Sequence, residues 1–256
     1  MAETMIAAQM YTLREHMKTP ADAAKTLKKV RAIGYEAVQL SGHGKIDDDE
    51  LKKMVDDAGL FICAAHEGYD QIRDDTQAVI DKLHRWECPN TAIGGLPKEY
   101  RTSEGFVKFA RECVEPAKKL KAAGILFGYH NHSFELERLP DGRTALQTIA
   151  EDSDPDAVML EIDTYWIQHG GGDPADTLRA YKGRVPFIHV KDMVYVPPDG
   201  PTFAEVGAGN LNWPAIMAAG KEAGVRWYIV EQDRCRRDPF ESLAISFENL
   251  KTMGLS

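Results

Sequence analysis

The stretch AAGILFGYH (122–130) joins a helical pattern to an apolar run at one glycine, and that joint recurs along the chain. A glycine just past the last helical turn takes a left-handed conformation without a Cβ to clash. The same join occurs at AIGYEAVQL (32–40), DAGLFICAA (57–65) and EAGVRWYIV (222–230). The runs that follow are rich in Val, Ile, Leu, Phe and Tyr, and most do not alternate with polar residues. Strands buried on both faces have that composition, and such strands belong to parallel sheets covered by helices. MIAAQM (5–10), TAIGG (91–95), AVMLEID (157–163) and VPFIHV (185–190) bring the number of runs to eight.

Helix start signals lie between the runs. Thr19-Pro20-Ala21-Asp22 offers an N-cap, a proline in the first turn and an acid behind it, and Asp173-Pro174 and Asp238-Pro239 repeat the device. Eight strand–helix units in 256 residues average about 32 residues each, the size of a βα unit. An open doubly wound sheet would carry a glycine-rich phosphate turn after its first strand, whereas QMYTLREH follows here. The expectation is a closed (β/α)8 TIM barrel forming one α/β domain over residues 1–256.

The net charge of −9 disfavours binding to a nucleic-acid backbone. No apolar run reaches the ~20 residues of a membrane span. The start, MAETMIAAQMYTLR, has no basic leader pattern. Cys63, Cys88, Cys113 and Cys235 are scattered and form no CxxC pair, which suits free thiols in the cytoplasm.

Active sites of such barrels form at the C-terminal ends of the strands. The polar residues at those ends include Gln9, Tyr11, Gln39, Ser41, His66, His130, His132, Glu135, Asp163, His189, Lys191, Asp192, Glu231 and Asp233. Glu135, Asp163, His189 and Glu231 come from four consecutive units. Three carboxylates and an imidazole at one mouth repel each other unless a cation lies between them. One divalent metal satisfies that demand. An oxygen-rich set with one nitrogen and no thiolate suits Mn²⁺ first, with Mg²⁺, Co²⁺ or Zn²⁺ also compatible. Glu161 shares a strand face with Asp163 and is an alternative ligand, but it lies deeper and reads as a buried acid without an evident partner. His66, His130, His132, Trp166, Lys191 and Glu205 are candidate substrate contacts. For Lys191 an ion pair with Asp192 is the competing role, and Glu205 belongs to a loop, TFAEVGAGNLNW (202–213), expected to cover part of the mouth.

The ordered set AAQMYTLRE, GYHNHSFEL, LEIDTYW, GGGDPADTL and HVKD, spread over about residues 5–250, resembles the xylose isomerase-like sugar isomerase/epimerase superfamily. That group includes ketose 3-epimerases, hydroxypyruvate isomerase and inosose dehydratase. The resemblance implies that Glu135, Asp163, His189 and Glu231 hold the metal and that Glu135 and Glu231 also move protons. It further implies a small carbohydrate substrate and proton removal α to a carbonyl through an enediolate at the metal. Trp166 and Tyr195 replace a His and an Arg that ketose 3-epimerases carry there, which points away from a simple ketose. A metal-dependent lyase acting on an inosose or 3-keto-sugar and a non-catalytic sugar-binding barrel are the alternatives. The sequence leaves the oligomeric state open, a homo-oligomer included.

Overall fold

The computed structural model describes residues 5–255. Eight parallel strands close on themselves: β1 (Met5–Gln9), β2 (Ala37–Leu40), β3 (Phe61–His66), β4 (Asn90–Ile93), β5 (Leu126–His130), β6 (Val158–Asp163), β7 (Phe187–Val190) and, after two strands outside the barrel, β10 (Trp227–Val230). β10 pairs with both β7 and β1, which completes the cylinder. The eight runs found in the sequence are these eight strands. The expected caps form as well: Thr19, Asp173 and Asp238 accept hydrogen bonds from the first-turn N–H groups of helices Pro20–Ile33, Pro174–Ala180 and Pro239–Thr252. Among the described residues no helix is long and apolar enough to cross a membrane.

Alternation along each strand sorts the barrel interior into layers. Near the bottom, Ala7, Ala37, Cys63, Ala92, Phe187 and Ile229 form a buried apolar plug. Gly128 belongs to this layer, because a Cβ there would lie 2.7 Å from Cζ of Phe187. Two residues further along the strands the lining turns polar, with Gln9, Gln39, His130, Glu161 and His189 all buried. Parallel register then fixes who meets whom: His130 lies beside Glu161, and Asp163 lies beside His189. Small residues below and large ligand-type residues above make the barrel a solid base with a functional upper end.

The two strands outside the barrel were not expected. β8 (Asp192–Val196) and β9 (Gly200–Ala204) form an antiparallel hairpin on the rim after β7. Both strands are short and largely half-exposed, and prolines interrupt the sequence, so neither strand periodicity nor an apolar run marks them. The turn itself was legible as Pro-Pro-Asp-Gly, with Gly200 at φ +86°.

Asp192 anchors the segment that follows the hairpin. Its Oδ2 accepts from the N–H groups of Gly207 and Gly209 and from Trp213 Nε1, while Oδ1 accepts from the N–H groups of Met193 and Leu211. A Cβ on Gly209 would come within 2.4 Å of that carboxylate, so only glycine permits the approach. Five donors converge on one buried acid, so Asp192 is bound to the loop and does not pair with Lys191. Asp192→Ala strands several of these donors and is expected to cost at least about 3 kcal/mol. Chemical denaturation checks the loss, and hydrogen exchange at Gly207, Gly209 and Leu211 should accelerate with it.

Candidate metal centre

The upper end of the barrel gathers two overlapping groups of ligand-type side chains. His130, Asp163, His189 and Glu231 form one, and His66, His130, Glu161 and His189 form the other, each with ligand atoms within 4.8 Å of one another. The first group borders a cavity of about 160 Å³ lined by Tyr11, Ser41, His66, Gly94, His130, His132, Lys191, Glu231 and Asp233. Its position follows from the backbone. β6 runs directly into helix Thr164–His169, so Asp163 is both the last strand residue and the helix N-cap. Its Oδ1 accepts from the N–H of Trp166. Its Oδ2 is buried and faces His189 Nδ1 at 3.8 Å and His130 Nε2 at 3.9 Å. Glu231 begins the segment after β10, and its Oε2 meets His189 Nδ1 at 2.8 Å.

A family model described as xylose isomerase-like TIM barrel matches residues 27–253. The chain belongs to the xylose isomerase-like TIM barrel family. Inosose dehydratase from Lacticaseibacillus casei is 27% identical over 167 residues. That alignment takes in 56% of this chain and 53% of that protein, so the chain spans about half the length of the curated relative it matches. A sugar phosphate isomerase/epimerase from Parabacteroides distasonis ATCC 8503 superimposes with a TM-score of 0.81 at 24% identity, over 99% of this chain and 96% of that one. An L-ribulose 3-epimerase superimposes with a TM-score of 0.74 at 16% identity, over 97% and 94%.

Within this xylose isomerase-like barrel, a cation already sits among the acids. Lys191, 1% exposed, places its Nζ 2.9 Å from Asp163 Oδ2, 2.5 Å from Glu231 Oε2 and 2.9 Å from Asp233 Oδ2. Thr164 holds the lysine backbone, accepting from its N–H and donating to its carbonyl. Burial works against the charges of Lys191 and Glu231, but their mutual attraction outweighs it. The lysine is held well above its usual range and the glutamate well below. Burial pushes Asp163 up to about 6 even with Lys191 beside it. His189 is also disfavoured as a cation by burial, yet Glu161 and Glu231 raise it to about 10. Four acids, Glu161, Asp163, Glu231 and Asp233, thus stand around one ammonium and the His189 ring.

Glu135 lies elsewhere. It sits on a short 3-10 turn, Phe134–Leu136, five residues beyond the end of β5. Its Oε1 accepts from the Tyr129 hydroxyl at 2.6 Å and its Oε2 from the N–H of His132 at 2.8 Å. Tyr129 points away from the barrel axis and packs on Phe109. The structure therefore ties Glu135 into the layer between strands and helices, and it joins neither group of ligand-type residues. His130, its neighbour on β5, stands in that group instead. Glu205 is likewise turned from the mouth, accepting from Ser242 Oγ at 2.8 Å and facing Arg237 Nε at 3.1 Å.

The remaining candidates line or flank the cavity. His132 is packed by Phe134 and Trp166, with ring centroids 5.9 and 5.4 Å away, and burial followed by the Lys191 charge lowers it to about 4. Its Nδ1 and Trp166 Nε1 are buried without partners. Phe203 of the hairpin stacks on Tyr165 at 4.1 Å and meets Trp166 at 5.8 Å, so the rim hairpin shapes this wall. The sequence reading did not find Phe203, nor the structural use of Gln9 and Gln39. Two glutamines at the ends of apolar runs were the available signal.

Two outcomes test this electrostatic arrangement. Lys191→Met leaves the acids without their ammonium and should destabilise metal-free protein by about 3–5 kcal/mol. Added Mn²⁺ should recover more stability in the variant than in the wild type, read by thermal unfolding. Burial raises Glu135 from 4.5 to about 7. Its protonated form therefore favours the folded state; that contribution is complete below about pH 4.5 and lost as pH rises through about 7. Glu135→Gln stays neutral, so across that interval the wild type should lose up to roughly 3 kcal/mol relative to the variant, measured by urea unfolding at fixed pH.

Proposed function

We propose that this chain is a divalent-metal-dependent isomerase or epimerase acting on a sugar, keto-sugar or sugar phosphate. The observation that carries the reading is the convergence of His130, Asp163, His189 and Glu231 beside one small cavity. Two carboxylates and two imidazoles form a donor set that fits one divalent ion. Mn²⁺ remains the first choice, and the second imidazole extends the range towards Co²⁺ and Zn²⁺. Asp163 Oδ2 is buried between the two imidazoles, and its ion pair with Lys191 at 2.9 Å marks it as an oxygen that takes a cationic partner. When bound, such an ion supplies Lewis acidity to a substrate carbonyl and its neighbouring hydroxyl.

The chain's own groups do the rest. Glu231, kept ionised, removes the proton α to the carbonyl. The Lys191 ammonium stands next to it and stabilises an oxygen that gains charge. His66 and His132 border the same cavity and hydrogen-bond substrate hydroxyls. With Glu135 tied to Tyr129, proton transfer rests on Glu231 rather than on a pair of glutamates. Return of the proton by Glu231 to the adjacent carbon gives isomerisation. Epimerisation requires an acid on the opposite face, a role for His66 or His132.

A second reading, dehydration of an inosose or 3-keto-sugar, is favoured by the match to inosose dehydratase. Lys191 would then assist departure of a β-hydroxyl. Incubation of metal-loaded protein in D₂O with a panel of keto-sugars separates the two. Deuterium at the α-carbon without loss of water supports isomerase or epimerase, and loss of water supports the lyase. Chelation should stop exchange and Mn²⁺ restore it. Glu231→Gln should slow exchange roughly 10²–10⁴-fold. No exchange and no water loss across a broad panel would sink the catalytic reading.

A further inference from the structure

We infer that Glu161, a buried acid one layer below the mouth, is a positioning residue. It fixes which ring nitrogen each of three imidazoles presents to the cavity, and so sets the two histidine ligands of the metal. The inference rests on the metal-centre reading above and adds to it the group that orients the site.

Glu161 is fully buried and borders no solvent-filled space. A carboxylate held ionised only accepts hydrogen bonds. Oε1 lies 2.7 Å from Gln39 Nε2, so the Gln39 amide must turn its NH₂ to Glu161 and its oxygen the other way. That oxygen accepts from Gln9 Nε2 at 2.7 Å and faces His189 Nε2 at 2.6 Å. His189 Nε2 must therefore carry a proton. In the neutral ring the lone pair falls on Nδ1, the nitrogen that faces Glu231 and Asp163.

The other oxygen works in the same way. Glu161 Oε2 lies 2.7 Å from His66 Nε2 and faces His130 Nδ1 at 3.4 Å, a buried nitrogen that makes no hydrogen bond. His66 Nε2 donates to it, and for His130 Nδ1 this oxygen is the acceptor it faces. The lone pair of His130 is then on Nε2, towards Asp163, and that of His66 is on Nδ1, towards Gly94 at the cavity. One acid, facing His66 and His130 directly and acting on His189 through one amide, thus favours the ring orientation that turns His130 and His189 towards the upper group and His66 towards the cavity.

The alternative is that Glu161 is itself a ligand in the lower group of His66, His130 and His189. The contacts argue against it. Both of its oxygens and His189 Nε2 are already matched to protein partners at 2.6–2.7 Å. Asp163 Oδ2, in the upper group, makes no hydrogen bond and is met by the Lys191 ammonium at 2.9 Å. Metal-ligating histidines commonly donate their second N–H to a carboxylate or a carbonyl, and losing that outer partner typically costs 10–100-fold in affinity.

The test measures binding rather than turnover. Mn²⁺ is titrated into wild type and Glu161→Gln by calorimetry, with folding followed by thermal unfolding. If the wild type takes up no divalent ion, the metal-centre reading fails and the inference falls with it. If the wild type binds and Glu161→Gln is folded, a 10–100-fold rise in Kd is expected. An unchanged Kd overturns the positioning role while leaving the metal centre intact, and complete loss of binding assigns Glu161 as a ligand. Should Glu161→Gln not fold, long-range ¹H–¹⁵N spectra of Zn²⁺-loaded wild type decide the matter. Protonated Nδ1 on His130 and protonated Nε2 on His189 are expected, and the opposite pattern on either ring overturns the inference. A purely packing role for Glu161 would not fix these ring protons.

Discussion

Four carboxylates, Glu161, Asp163, Glu231 and Asp233, are held at one end of a barrel whose walls exclude most water, and their charge has to be met there. Ionised acids so placed cost far more than the hydrogen bonds around them return unless cations stand within a few ångström. Lys191 is one such cation and His189 the other. Each is locked from behind, the lysine by Thr164 and the histidine by Gln39.

The rest of the fold is arranged so that this charge cluster is tolerated. Alanines, Gly128 and Phe187 fill the barrel below it, giving a rigid floor with no room for solvent. Parallel register sets Asp163 against His189, so two ligand-type groups 26 positions apart in sequence become neighbours. Asp192 directs the chain after the rim hairpin, and Phe203 on that hairpin packs against the Tyr165–Trp166 wall of the mouth. Membership of the xylose isomerase-like family agrees with this construction.

Much of the architecture was legible in local patterns. Glycine caps, proline-led helix starts and unbroken apolar runs each report a short stretch of backbone, and short stretches are what a sequence encodes most directly. The rim hairpin escaped because its strands are short and half-exposed and lack the alternation that marks a buried strand. Asp163, His189 and Glu231 were legible because each lies at a strand end or one residue from it, and strand ends in a barrel converge by topology. Glu135 follows β5 by five residues. Beyond the end of a strand the direction of a side chain depends on the turn, and the turn takes Glu135 back to Tyr129.

The sequence by itself determined the alternation of strand and helix, the closure into eight units and the set of acids and imidazoles carried to one end. Those properties depend on the period of the backbone and on residue type, both written along the chain. Only the tertiary structure decided that Lys191 pairs with Asp163, Glu231 and Asp233 rather than with its neighbour Asp192, that His130 and not Glu135 joins the group, and that Glu161 faces three imidazoles. Those choices are made by distances between side chains from different strands. They exist only once the cylinder is closed and the low-dielectric interior forces each charge to find a partner.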